Sequence, residues 1–123
     1  MLRVDHVQLA APAQCVAAAR AFFGSLLGLP EIPKQTPAGR GGAWFQAGNI
    51  ELHVGVQAHF QPAKKAHVAL AVAAREELDT LAERLSAAGH PIRWDAHLPG
   101  VDRFFTNDPW GNRMELMFDR RTP

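Results

Sequence analysis

His6-Val7-Gln8-Leu9-Ala10 and His67-Val68-Ala69-Leu70-Ala71 carry one pattern, His-Val-x-Leu-Ala, twice in the same chain. A second pattern, Gly-x-Pro, recurs at the same spacing in Gly28-Leu29-Pro30 and Gly89-His90-Pro91. Both steps are 61 residues, from 6 to 67 and from 28 to 89. A third, x-Glu-Leu, closes each half: Ile50-Glu51-Leu52 and Met114-Glu115-Leu116 are 64 residues apart. The chain reads as two copies of one unit, each opening on a His and closing on a Glu.

Working outward from these pairs, the elements repeat in order. Leu2 to Ala10 reads as a strand, with Pro12 where the first turn of a helix tolerates it. Ala13 to Leu27 is alanine-rich, with apolar residues at helical spacing, and Gly28 ends it ahead of Pro30. Pro33 to Gly42 predicts a short strand and a mobile loop that serves as an active-site flap. Ala43–Ala47 and Asn49–Val56 read as strands joined at Gly48. In the second half Ala66–Val72 is a strand and Arg75–Ala88 an amphipathic helix with Leu78, Leu81, Ala82 and Leu85 on one face. Pro91–Asp95, Arg103–Thr106 and Arg113–Phe118 follow as strands, the last two joined by the turn residues Asn107 to Asn112. The expected fold class is α+β. One domain over residues 1–123 holds two tandem β-α-β-β-β modules, about 2–57 and 65–119, with Gln57–Lys65 linking them.

Strand alternation then sorts the faces. Val7 and Leu9 oppose His6 and Gln8; Val68 and Leu70 oppose His67 and Ala69. Ile50, Leu52 and Val54 oppose Glu51 and His53; Met114, Leu116 and Phe118 oppose Arg113, Glu115 and Met117. The bulky apolar side belongs under a helix, so His6, Glu51, His67 and Glu115 are expected on one concave surface. Two carboxylates and two imidazoles gathered there without a cation would be costly. A divalent metal ion removes that cost, and nitrogen with carboxylate oxygen suits Fe, Zn, Ni, Co or Mn. No cysteine ligand is on offer for a thiolate zinc site.

The arrangement resembles the vicinal oxygen chelate superfamily, which includes glyoxalase I, fosfomycin-resistance thiol transferases, extradiol dioxygenases, methylmalonyl-CoA epimerase and bleomycin-resistance binding proteins. The resemblance covers nearly the whole chain. Phe22 to Gly28 is similar to the family's Phe-Tyr-x-x-x-Leu-Gly helix ending, and Asp108 to Leu116 to its Asp-Pro-x-Gly-Asn-x-x-Glu-Leu close. It implies a curved mixed-sheet fold around a metal held by His6, His67, Glu115 and Glu51. His53, two residues after Glu51 on the same face, is the competing ligand or a proton carrier. It implies catalysis on a small molecule that chelates the metal through adjacent oxygens. Glu115, Glu51 or His53 would move the proton. Arg103, Phe45 and Phe105 are the candidate substrate contacts, and a homodimer is the implied assembly. The alternative is a metal-free protein that sequesters a small molecule, as the bleomycin-resistance members do.

The bulk numbers narrow the field. The 123 residues are 47% hydrophobic and 20% charged, ordinary for a globular domain. Net charge is +1, with no clustered basic face to engage nucleic acid, and Arg120-Arg121 reads as a solvated tail. No apolar run approaches the ~20 residues of a membrane span. The N-terminus lacks the apolar core of a signal peptide, so a cytoplasmic location is expected. A single cysteine, Cys15, excludes an intrachain disulfide and reads as a packing residue. His59 and His90 read as solvent-facing and His97 as a solvated loop residue. Thr36 to Gly42 is glycine-rich but lacks Gly-Lys-Ser/Thr, which excludes a phosphate loop.

Overall fold

A computed structural model describes residues 1–34 and 41–121. The flap expected within Pro33 to Gly42 lies largely outside the described residues. The chain divides into two compact units, Met1–Pro62 and Ala63–Pro123.

The first unit contains β1 (His6–Ala11), α1 (Val16–Ala19), a π-helix (Arg20–Leu26), β2 (Glu31–Ile32), β3 (Ala43–Ala47) and β4 (Ile50–Val56). Its sheet runs β1-β4-β3-β2. β1 lies parallel to β4, and the remaining pairs are antiparallel. The second unit contains β5 (His67–Ala71), α2 (Arg75–Ala87), β6 (Arg93–Asp95), β7 (Val101–Asn107) and β8 (Arg113–Asp119). Its sheet runs β5-β8-β7-β6 with the same senses. Two four-stranded mixed sheets of matching topology are therefore present, as the repeats imply.

The differences from the sequence reading are local. Residues 2–5 are not strand, because β1 begins at His6. The first helix starts at Val16, and Gln14 adopts a positive φ of 62°, so Pro12 lies before the helix and not in its first turn. From Arg20 the helix widens, and Leu27 N–H donates to Phe22 C=O at 2.9 Å, a five-residue step. In a wider turn, successive residues rotate through a smaller angle. Phe22 and Phe23 can then both face inward, and both are fully buried, edge-to-face at 4.9 Å. The short strand expected after Pro33 is Glu31–Ile32 instead, paired with Phe45 and Trp44.

Each sheet packs one face under its helix. Phe45, Leu52 and Val54 are buried with Phe22 and Phe23 in the first unit. Phe104, Met114 and Leu116 are buried with Leu78 and Leu85 in the second. The turn before β8 is built on Asp108, whose Oδ1 accepts the Trp110 and Asn112 N–H groups at 3.0 and 2.8 Å. Asp108 Oδ2 accepts Asn112 Nδ2–H at 2.7 Å. These bonds favour the ionised carboxylate, but desolvation outweighs them and raises the Asp108 carboxyl above its ordinary value.

Candidate functional site

Register determines which residues are equivalent in the two modules. On β1 and β4, His6 pairs with Glu51 and Gln8 with His53. On β5 and β8, His67 pairs with Arg113 and Ala69 with Glu115. The place that Glu115 holds in its sheet is therefore held by His53 in the other, while Glu51 corresponds to Arg113. The adjoining strands agree: Trp44 pairs with His53, and Phe105 with Glu115. Motif matching alone, which sets Glu51 against Glu115, is two residues out of step. The slip arises at the hairpins. Ala47 and Ile50 close a turn over Gly48-Asn49. Asp108 and Asn112 close one over Pro109-Trp110-Gly111, one residue longer.

In the first module, His53 is 5% exposed and lies flat between two other rings. Trp44 stacks on it at 3.8 Å with planes 1° apart, and His6 at 4.4 Å and 12°. Its Nε2 faces Glu51 Oε1 at 2.9 Å. His6 Nδ1 faces Asp5 Oδ2 at 3.0 Å, which orients the ring and holds the Asp5 carboxyl below its ordinary value. A carboxylate behind a histidine is the usual support for a metal-binding imidazole.

In the second module, Glu115 is 4% exposed, and its Oε1 lies 3.0 Å from His67 Nε2 and 3.6 Å from Arg103 Nη1. His67 Nδ1 faces the Lys65 carbonyl at 3.0 Å. Both ring nitrogens thus face oxygen acceptors, yet a neutral imidazole carries one N–H. If the Lys65 carbonyl takes that hydrogen, Nε2 meets the carboxylate as a bare lone pair. Only a proton or a cation between them makes the contact favourable. Phe105 packs edge-on to His67 at 5.4 Å.

Among the described residues no three His, Cys, Asp or Glu side chains come together as a metal-binding group. The expected ligand types are present instead as His6, Glu51 and His53 in one module and His67 and Glu115 in the other. Of the expected substrate contacts, Phe105 and Arg103 lie on the Glu115 face. Arg103 is already engaged with Asp95 at 3.2 Å. Phe45 is corrected: it is fully buried on the helix-facing side, 5.6 Å from Phe23, so it belongs to the core. Its register partner Leu52 has the same facing. His97 is solvated beside Asp95, as expected, whereas His90 is partly buried and bonded to the Asn107 carbonyl at 2.9 Å. Two residues that sequence reasoning passed over stand out. Trp44 covers His53, and Arg113 lies with its guanidinium 4.1 Å over Phe105. Alternation had already put Arg113 on the face of Glu115.

Among the described residues no helix is long and apolar enough to cross a membrane. The model of the Glyoxalase/Bleomycin resistance protein/Dioxygenase superfamily matches residues 3–116. Among solved structures, one described as a glyoxalase family protein from Bacillus anthracis is 43% identical over 97% of this chain and 96% of its own, with a TM-score of 0.86. The genomically encoded fosfomycin resistance protein of Listeria monocytogenes is 18% identical over 96% and 93%, TM-score 0.75. Lactoylglutathione lyase from Agrobacterium tumefaciens is 22% identical over 94% and 92%, TM-score 0.72. The last two share the fold. A search of the curated proteins gave no match.

Proposed function

The chain belongs to the Glyoxalase/Bleomycin resistance protein/Dioxygenase superfamily, and from that premise we propose that it is a divalent-metal-dependent enzyme. Its substrate is a small molecule that presents two adjacent oxygens. The observation that carries this reading is His67, whose Nδ1 is held by a backbone carbonyl while Nε2 faces the Glu115 carboxylate. That is the arrangement of a ligand histidine with its tautomer fixed from behind. The donor chemistry fits a first-row divalent ion: imidazole nitrogen and carboxylate oxygen, with no thiolate.

The proposed ligands are His6, His67 and Glu115. His53 is the fourth, preferred to Glu51 because it occupies the register position of Glu115. A bound divalent ion would supply Lewis acidity to the chelated oxygens. The protein's part is to orient and to move protons. Asp5 and the Lys65 carbonyl fix the two leading histidines. Glu51, hydrogen-bonded to His53 and more exposed than it, is placed to take a proton from substrate and share it with that imidazole. Glu115 performs the same service if it leaves the ion. Phe105 walls the face beside His67. We further propose a homodimer, which a sizing column with light scattering checks.

Elemental analysis of tag-free native protein tests the reading, alongside His67→Ala and Glu115→Ala. About one equivalent of Fe, Mn, Ni, Co or Zn per chain is expected, lost in both variants. No metal bound, and none taken up on reconstitution, would leave metal-free sequestration of a small molecule as the better account.

A further inference from the structure

We propose that Arg113, held over Phe105 beside the His67–Glu115 pair, anchors an oxyanion group of the bound small molecule: a carboxylate, a phosphonate or a phosphate. The proposal rests on reading this face as a small-molecule site. It adds the charge class of the molecule that the site takes.

Three observations carry it. First, the Arg113 guanidinium forms no ion pair with any described residue, and its Nε is fully buried without a hydrogen-bond partner. Arginine stays charged at all ordinary pH, and a partly buried charge without a counter-ion is costly. An incoming anion removes that cost. Second, the potential acceptors nearby are engaged. Glu115 Oε1 is taken by His67 and Arg103, Asp95 by Arg103, and Asn107 Oδ1 by Arg93 at 3.1 Å. Third, the guanidinium lies with its carbon 4.1 Å from the Phe105 ring centre. Stacking occupies the face of the group and leaves the in-plane N–H donors for a forked contact to two oxygens.

The charge balance agrees. Around Phe105, the strands β6, β7 and β8 present Arg93, Arg103 and Arg113 against Asp95 and Glu115. That leaves one positive charge in excess. Arg103 lies on the opposite side of Phe105 from Arg113 along β7, 5.1 Å from the ring, but its donors are directed to Asp95. Arg113 is therefore the anchor and Arg103 the support for Glu115. The corresponding place in the first module holds Glu51, so the feature is confined to the second.

The test is an NMR titration that follows arginine 1H–15Nε signals, with the Arg113 signal assigned by its loss in Arg113→Lys. Protein as purified is titrated at constant ionic strength with acetate, methylphosphonate and inorganic phosphate, and with chloride as the control. A saturable shift of the Arg113 signal with at least one of the three oxyanions, and none with chloride, is expected. The preferred anion identifies the source of the group. Arg113→Gln should weaken binding at least about tenfold, and Arg113→Lys less, since it keeps charge without the fork. Circular dichroism establishes that both variants are folded. No saturable shift with any oxyanion overturns the proposal. So does equal affinity in the wild type and Arg113→Gln. Repeating the titration after zinc loading separates this idea from the metal reading. Oxyanion binding that needs zinc and ignores Arg113 sinks the anchor alone. Arg113-dependent binding in a protein that never takes up metal sinks the metal reading alone.

Discussion

His53 and Glu115 hold the same place in their respective sheets, each two residues beyond the strand partner of a leading histidine. Equivalence of place implies equivalence of role, so His53 should bind the metal and Glu51 should orient it. Changing His53 to Ala should lower metal affinity by more than about 100-fold, whereas Glu51→Gln should cost about 10- to 100-fold, as for an outer partner of a ligand. Competition with a metal-binding dye measures both. The reverse order would move the ligand to Glu51.

Trp44 should report metal binding. Its indole lies flat on His53 at 3.8 Å, within reach of any charge placed on that imidazole. Adding Zn2+ to metal-free protein should change tryptophan emission saturably, with the stoichiometry found by elemental analysis. In Trp44→Phe most of that change should vanish while the metal still binds. Emission that responds equally in the variant would place the ion away from His53.

Phe45 separates core from site. Its ring is fully buried against Phe23 on the helix-facing side. Phe45→Ala should cost about 3–5 kcal/mol of folding stability, read from urea denaturation. At a temperature where the variant is folded, its metal affinity should match the wild type. A selective loss of metal would return Phe45 to the site.

Asp108 gives the turn before β8 a pH signature. Burial raises its folded-state pKa. The folded chain therefore takes up this proton before the unfolded chain does, as pH falls. The stability linked to the group is fully present below the unfolded pKa and is lost as pH rises through the folded one. Relative to Asp108→Asn, the wild type should gain stability as pH falls from 7 towards 4, measured by paired thermal melts. Asp108→Ala should cost on the order of 2 kcal/mol at pH 7, because buried N–H donors lose their acceptor.

The repeats made the fold readable. His-Val-x-Leu-Ala and Gly-x-Pro marked two modules, and alternation sorted the strand faces, including those of Glu115 and Arg113. What alternation cannot do is detect a slip of two, because a period of two returns every side chain to the same face. For that reason Glu51 stood in for His53 until the register was known. The single extra residue of the Pro109-Trp110-Gly111 turn lies behind the slip, since strand pairing absorbs it without trace in the sheet. Phe45 misled for another reason: both faces of an inner strand carry large side chains, and the phenylalanine beside Trp44 points the other way. The widened helix at Arg20–Leu26 left no mark in apolar spacing, because the choice between two turn widths is made by how Phe22 and Phe23 pack.

The parallel pairing of β1 with β4, and of β5 with β8, has a consequence for the order of assembly. The hairpins β3–β4 and β7–β8 close over two or three residues, whereas His6 must find Glu51 and His67 must find Arg113 across most of a module. Distant closures carry the larger entropy cost and lag behind local ones. Pulse-labelled hydrogen exchange should find the hairpin amides protected before those of β1 and β5. During folding, the strands that bring in the two leading histidines are thus the last to dock, so a half-built sheet already holds its carboxylate while it still lacks its imidazole.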